Sequence, residues 1–194
     1  MKTMNLFVVK VDKPINDTIV TEGGLELFID TKFNEFEHRT IEGEVVSSPL
    51  LIENDVQPGD TLYFHHLVVV EGGQKISWED NHYYVNCNKD FTISNQAFAY
   101  KKKGTDNIIP LFGWCLLEEV PQEEDAQEQL IEIVSIEDKL PTTGIVSFEA
   151  KCLDDLGVKQ GDEVAFAKNM DYRVKIDGKE YYRVRSEDLL YVKK

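Results

Sequence analysis

At 194 residues the chain has room for one domain of average size or two small ones, and its 42% hydrophobic and 29% charged content is that of an ordinary globular protein. A formal net charge of −15 repels phosphate backbones and anionic bilayers, which argues against nucleic acid and membrane surfaces as partners. Lys101-Lys102-Lys103 is the one basic run and reads as a solvated linker. The apolar run in MKTMNLFVVKVDK is too short for a signal peptide, and no stretch approaches a membrane span. A reducing, cytoplasmic setting is therefore expected.

Helical periodicity is nearly absent, and short apolar or alternating runs are punctuated by Gly, Pro, Asn and Asp, the pattern of an all-β protein of small barrels or sandwiches. The first predicted strand is LFVVKV, Leu6 to Val11. Next comes Gly23-Gly24-Leu25-Glu26-Leu27-Phe28-Ile29. Its two glycines free the backbone, and Leu25 and Leu27 project to one side of an extended chain. That segment is either an exposed hydrophobic anchor or a buried edge strand with period two.

Further strands are expected at Gly43–Val46, Asp60–Phe64, His66–Val70, His82–Asn86 and Gln96–Tyr100, and then at Trp114–Val120. Residues 118–132 lack an apolar face and contain Pro121, so they read as an acidic solvated loop. Within and after it, Leu130-Ile131-Glu132-Ile133-Val134 is a second candidate anchor or an ordinary strand. The last strands are Gly144–Phe148, Asp162–Ala167, Tyr172–Ile176, Tyr181–Arg185 and Leu189–Val192. Asp177-Gly178 is a hairpin signal, and Ser186-Glu187-Asp188 a polar turn.

The order of elements repeats. Val56-Gln57-Pro58-Gly59-Asp60-Thr61-Leu62-Tyr63-Phe64 matches Val158-Lys159-Gln160-Gly161-Asp162-Glu163-Val164-Ala165-Phe166 at constant offset. Gly43-Glu44-Val45-Val46 corresponds to Gly144-Ile145-Val146-Ser147, and His82-Tyr83-Tyr84-Val85 to Glu180-Tyr181-Tyr182-Arg183. Loops absorb the drift in offset, as a diverged duplication predicts. Two domains are expected, residues 1–103 and 104–194, joined near Lys101 to Asn107.

Catalytic chemistry has no clear foothold. The sequence has no GxGxxG, GxSxG or phosphate-binding GKS/GKT motif, and paired carboxylates carry no signal in so acidic a chain. His65 and His66 are expected on a strand, where neighbours point to opposite faces and make a poor metal site. The three cysteines, Cys87, Cys115 and Cys152, are far apart in sequence and read as packing residues. Trp78, Trp114, Tyr83, Tyr84, Tyr181 and Tyr182 lack the basic companions of a base-stacking surface and are expected in cores and interfaces. No catalytic residue, metal or cofactor is expected.

The ordered set Gly-Glu-Val (Gly43–Val45), V-x-x-G-D-x-V-x-F (Val158–Phe166) and Ser-Glu-Asp-Leu-Leu (Ser186–Leu190, one residue shorter than the family's S-x-x-D-I/L-L), together with the hairpin between, resembles the GroES-type co-chaperonin family. The resemblance spans Leu6–Tyr100 and, more densely, Pro110–Val192, and implies two tandem, partly open GroES-like β-barrels. It further implies a non-enzymatic homo-oligomer that caps a GroEL-type chaperonin ring and encloses a client protein during an ATP-driven cycle. By its position before Gly43, the segment Gly23–Ile29 matches the family's mobile loop, whose apolar residues dock on the chaperonin. Leu130, Ile131, Ile133 and Val134 are the possible second anchor, although no Gly-Gly pair occurs between Leu117 and Gly144. The family's roof hairpin is reduced to short segments, Ser47–Asn54 and Ser147–Asp155. Seven family ring positions also cannot be filled by whole two-domain chains. The tandem form would suit a virus-encoded or mature plastid co-chaperonin. The alternatives are a structural or adaptor module without a chaperonin partner, or an orphan barrel from an oxidoreductase lineage. A strand-paired, ordered Gly23–Ile29 would favour the adaptor, and an exposed, flexible one the co-chaperonin.

Overall fold

The computed structural model describes residues 1–21, 23–31, 38–70, 74–87, 95–121, 142–154 and 156–193. These form antiparallel β structure with one helical turn at Lys151–Asp154 and 3₁₀ turns at His66–Val69 and Ser186–Asp188. The all-β character expected from the sequence is what is seen. The chain divides into two compact units, Met1–Phe112 and Gly113–Lys194.

The first unit contains β1 (Leu6–Lys10), β2 (Thr18–Val20), β3 (Glu26–Phe28), β4 (Glu42–Ser47), β5 (Thr61–Phe64), β6 (His82–Asn86), β7 (Ala97–Lys101) and β8 (Ile108–Pro110). Its main sheet runs β6-β1-β4-β5-β7-β8, while β2 and β3 form a separate two-stranded sheet. The second unit contains β9 (Trp114–Glu118), β10 (Thr143–Val146), β11 (Glu163–Phe166), β12 (Tyr172–Ile176), β13 (Lys179–Arg185) and β14 (Leu189–Lys193), in the order β12-β13-β9-β10-β11-β14. Five strands of each sheet therefore follow one order: β6-β1-β4-β5-β7 in the first and β13-β9-β10-β11-β14 in the second.

The match extends to individual bonds. Gly59 N donates to Val45 O at 2.8 Å, and Gly161 N to Val146 O at 2.8 Å. Val45 N donates to Asp60 O, and Val146 N to Asp162 O. Phe64 N reaches Ile41 O where Phe166 N reaches Thr142 O, and both phenylalanines sit at a register shift. Gly59 and Gly161 adopt φ of 94° and 91°, a left-handed turn that glycine enters without steric cost. Each turn is closed by the following aspartate: Asp60 Oδ2 accepts from Gln57 N at 2.8 Å, and Asp162 Oδ2 from Lys159 N at 2.9 Å.

Asp60 also accepts from Lys103 N at 3.0 Å and is 5% exposed, whereas Asp162 is only half-buried. Removing a buried acceptor strands its donors, at a cost of about 1–3 kcal/mol. Asp60→Ala is thus expected to cost about 2–3 kcal/mol and Asp162→Ala about 1 kcal/mol, read as shifts in urea midpoint. Equal costs would contradict this account.

The cores repeat position by position. Strand registers pair Val9 with Tyr83 and Phe7 with Val85 in the first unit, and Leu117 with Tyr182 and Cys115 with Val184 in the second. All eight residues are buried. This corrects the sequence alignment of His82–Val85 with Glu180–Arg183 by one residue, because Tyr83 rather than Tyr84 occupies the position of Tyr182. On a strand a slip of one exchanges the faces, and Tyr83 is buried at 5% while Tyr84 is half-buried.

Other expectations are also corrected. His66–Val69 forms a 3₁₀ turn, not a strand; the His65 side chain accepts from Leu67 N at 3.2 Å and starts the turn. An unbroken apolar run has no period that separates strand from helix. The His65 and His66 rings therefore do not point to opposite faces: their centroids lie 4.3 Å apart. Residues 102–107 are exposed, as a solvated segment should be, but they connect the paired strands β7 and β8 within the first unit. Trp78 is 68% exposed, so of the core and interface positions expected for the aromatics it does not take a core one. Trp114 does belong to the core, with the guanidinium groups of Arg183 and Arg185 each 4.4 Å from its ring.

The Asp177-Gly178 hairpin forms as read. Both residues have positive φ, 49° and 83°, and Ile176 pairs with Lys179 across a two-residue turn.

Candidate functional site

Gly23–Ile29 lies on the β2–β3 hairpin, which pairs Thr18 with Phe28, Ile19 with Leu27 and Val20 with Glu26. The turn is held locally: Gly24 N donates to Thr21 O at 2.8 Å, Thr21 N to Leu25 O at 2.9 Å, and Leu25 N to Thr21 Oγ1 at 3.1 Å. Gly24 has φ 78°, where a side chain would be strained. At the base, Ile29 N donates to Asp17 O, Asn16 N to His38 O, and Thr40 N to Pro14 O. Ile15 and Arg39 make a further bridge.

Residues directly opposite in an antiparallel pair share a face, and alternate residues along a strand return to it. Leu25, Leu27 and Ile19 therefore line one face, and Val20 and Phe28 belong to the other. All five are exposed, from 47% for Leu27 to 81% for Phe28. The hairpin is stabilised by its backbone bonds and leaves its apolar side chains to solvent. Sequence reading found Leu25 and Leu27 but not Ile19 or Val20. Their partner role is set by hairpin register, which TIV alone does not reveal.

The segment leaves Leu25, Leu27 and Phe28 exposed, as an anchor would need. It is strand-paired, yet it is not a buried edge strand, because it pairs with β2 alone and stands outside the main sheet. Leu130, Ile131, Ile133 and Val134 lie outside the described residues, as do the acidic residues around them.

Elsewhere, no group of three or more His, Cys, Asp or Glu side chains among the described residues is arranged to hold a metal. No helix among them is long and apolar enough to cross a membrane. The cysteines depart from the sequence reading, because the fold brings Cys115 and Cys152 together with sulfurs 4.0 Å apart. Their separation in sequence hid this contact between β9 and the helical turn. Cys87 is buried in the first unit, with its thiol donating to Asn5 O at 3.4 Å. Burial pushes it up to about 12.

Residues 107–192, the end of the first unit with β8 and nearly all of the second, match the family described as Chaperonin 10 Kd subunit. The matched residues do not include Gly23–Ile29. The chain is also 36% identical over 93 residues to the Co-chaperonin GroES of Syntrophotalea carbinolica, across 44% of this chain and 97% of that protein. That near-complete coverage of a co-chaperonin, joined to an all-β fold with the Gly-Asp turns in place, makes this chain a member of the chaperonin 10 family.

Proposed function

We propose that the chain is a tandem co-chaperonin that caps a GroEL-type chaperonin through the β2–β3 hairpin and assists ATP-dependent folding of an enclosed client. The chaperonin hydrolyses the nucleotide; this chain has no catalytic role. The observation that carries the reading is the set of apolar residues on a hairpin outside the main sheet, Leu25, Leu27 and Ile19 on one face and Phe28 on the other, in a member of a co-chaperonin family. An apolar ridge of this kind suits a groove between helices, where desolvation supplies the affinity.

The tandem form is supported by the shared five-strand order, the repeated turn bonds and the matched cores. On this reading each unit, Met1–Phe112 and Gly113–Lys194, is one GroES-like barrel. Homo-oligomerisation is supported by a difference between their sheets. The outer edge of β7 is covered by β8, whereas β14 ends its sheet with Leu190 and Tyr191 exposed at 64% and 57%. Such an edge pairs readily with another strand, here one from a second copy. The proposed setting is the cytoplasm, the host's if the chain is virus-encoded, with a plastid as the alternative for a mature plastid form.

The pairing of β3 with β2 favours a second reading, an adaptor module that assembles with no chaperonin partner. One sedimentation experiment separates the two. The purified chain is run alone and then with its cognate chaperonin, with and without ATP. The co-chaperonin reading expects an oligomer that joins the chaperonin only with nucleotide. An oligomer that never joins it leaves the adaptor, and a monomer in all conditions removes the assembly claim from both.

A further inference from the structure

We propose that Cys152 and Cys115 are a peroxide-reactive dithiol, a site of reversible oxidation built into the second unit. The pair rests on geometry first. Their sulfurs lie 4.0 Å apart, within the core that also contains Leu117, Val146, Ala150 and Leu153. Cys115 is on β9 at the position that Phe7 occupies in the first unit, and the smaller side chain faces Cys152 on the helical turn.

Their exposures assign the roles. Cys152 is half-buried and open to a small oxidant, while Cys115, 1% exposed, is shielded from it. Electrostatics point the same way. The Cys152 thiol is lowered from its ordinary value by a hydrogen bond from Cys115, against the opposing effect of burial, with a further bond from the Ser186 hydroxyl. Asp154 nearby acts in the opposite direction. Cys115 is raised, first by the same hydrogen bond and then by burial, and as a thiol Cys152 donates to Trp114 O at 3.8 Å, a proton it gives up on becoming the thiolate. Cys152 is thus the nucleophile and Cys115 the resolving thiol. Ser186 is itself fixed by its amide, which donates to Gly113 O at 2.8 Å.

The chemistry balances with hydrogen peroxide as oxidant. The Cys152 thiolate attacks one peroxide oxygen, a sulfur–oxygen bond forms, the oxygen–oxygen bond breaks, and the departing hydroxide takes a proton to become water. Cys152 is then a sulfenic acid. The Cys115 sulfur attacks it, giving its proton to the leaving hydroxyl, which departs as a second water while the disulfide forms. Two thiols lose two electrons, and the peroxide is reduced to two waters. A dithiol reductant reverses the step by exchange. Closing from 4.0 Å to the roughly 2.05 Å of a disulfide requires the helical turn to move toward β9. The turn is a short segment, held by Leu153 N to Ala150 O, Leu156 N and Val158 N to Leu153 O, and Gly157 N to Asp154 O, so it moves as a unit. In a reducing cell such a bond forms transiently, as redox-sensing disulfides do.

The test is peptide mapping of the whole protein after brief peroxide treatment, without reduction. The expected product is a Cys115–Cys152 linkage that dithiothreitol removes, with Cys87 still a thiol. Alkylation of the untreated protein is expected to be about tenfold or more faster at Cys152 than at Cys87. In Cys115→Ser the reaction stops at a Cys152 sulfenic acid that dimedone traps. A sulfenic acid that accumulates in wild type without the linkage, or oxidation directed to Cys87, overturns the proposal. Because the wild-type map carries the decision, a poorly folding variant does not obscure it.

Discussion

Replacing Leu25 and Leu27 together with aspartate should weaken chaperonin binding by at least about 100-fold and leave the melting temperature unchanged. Burying one leucine contributes about 1.5–3 kcal/mol, and each 1.4 kcal/mol is a factor of ten in affinity. Two leucines lost, with two carboxylates forced toward an apolar groove, therefore exceed two decades even after the ordering cost of the partner is subtracted. An oligomer amplifies the effect, because every copy loses its anchor and the effective concentration of the rest no longer helps. Stability is spared because both side chains are exposed, 63% and 47%, and the hairpin bonds run through the backbone.

The hairpin register adds a sharper version. Ile19 lies directly opposite Leu27, so Ile19→Asp should weaken binding about as much as Leu27→Asp alone, on the order of tenfold or more. Isothermal titration against the cognate chaperonin with nucleotide measures both. Undiminished binding by the double variant moves the contact to another segment, with Leu130–Val134 the next to be changed. A lower melting temperature in either variant shows instead that the hairpin is part of the folded core.

How much was legible in the sequence follows from which signals are local. Asp177-Gly178 is a turn that two residues specify, and it is found where the sequence set it; Gly59-Asp60 and Gly161-Asp162, legible as a repeat, prove to be turns of the same local kind. The alternating strands that flank them were equally readable. What escaped depends on contacts far apart in the chain. Tyr83 and Tyr84 are alike as residues, and only pairing of Val9 with Tyr83 decides which is buried. Ile108–Pro110 is too short to announce a strand and becomes one by lying against β7. Val68 and Val69 are buried, as their hydrophobicity requires, but in a 3₁₀ turn capped by His65. The Cys115–Cys152 contact belongs to the same class. For the candidate site, the apolar motif was legible and its second strand was not.

The largest loss of stability is expected at two glycines, Gly43 of Gly-Glu-Val and its counterpart Gly144 of Gly-Ile-Val. A Cβ added to Gly144 would lie 2.8 Å from Leu117 Cβ and 3.1 Å from Glu118 O; one added to Gly43 would lie 2.9 Å from Lys10 O and 3.1 Å from Val11 Cγ2. Apart from the Val11 methyl, these neighbours are backbone or Cβ atoms of the adjacent strand, which no side-chain rotation can move away. Gly144 sits on β10 between β9 and β11, and Gly43 on β4 between β1 and β5. Accommodating even a methyl group requires a central strand pair to separate, and overpacking of this kind costs about 1–3 kcal/mol or more. Valine at either position should reach about 3 kcal/mol or beyond, enough to unfold a small unit of ordinary stability. By contrast Gly161→Ala, whose Cβ meets nothing within 4 Å but whose φ is 91°, should cost only about 1 kcal/mol from backbone strain. Calorimetry of Gly43→Val and Gly144→Val checks this, with proteolysis reporting which unit opens. If the two units are copies of one fold, Gly43→Val exposes Met1–Phe112 and Gly144→Val exposes Gly113–Lys194, at similar cost. Wild-type melting of either variant would mean that the close strand approach at that glycine does not exist in solution, and the equivalence of the two sheets would lose its strongest physical support.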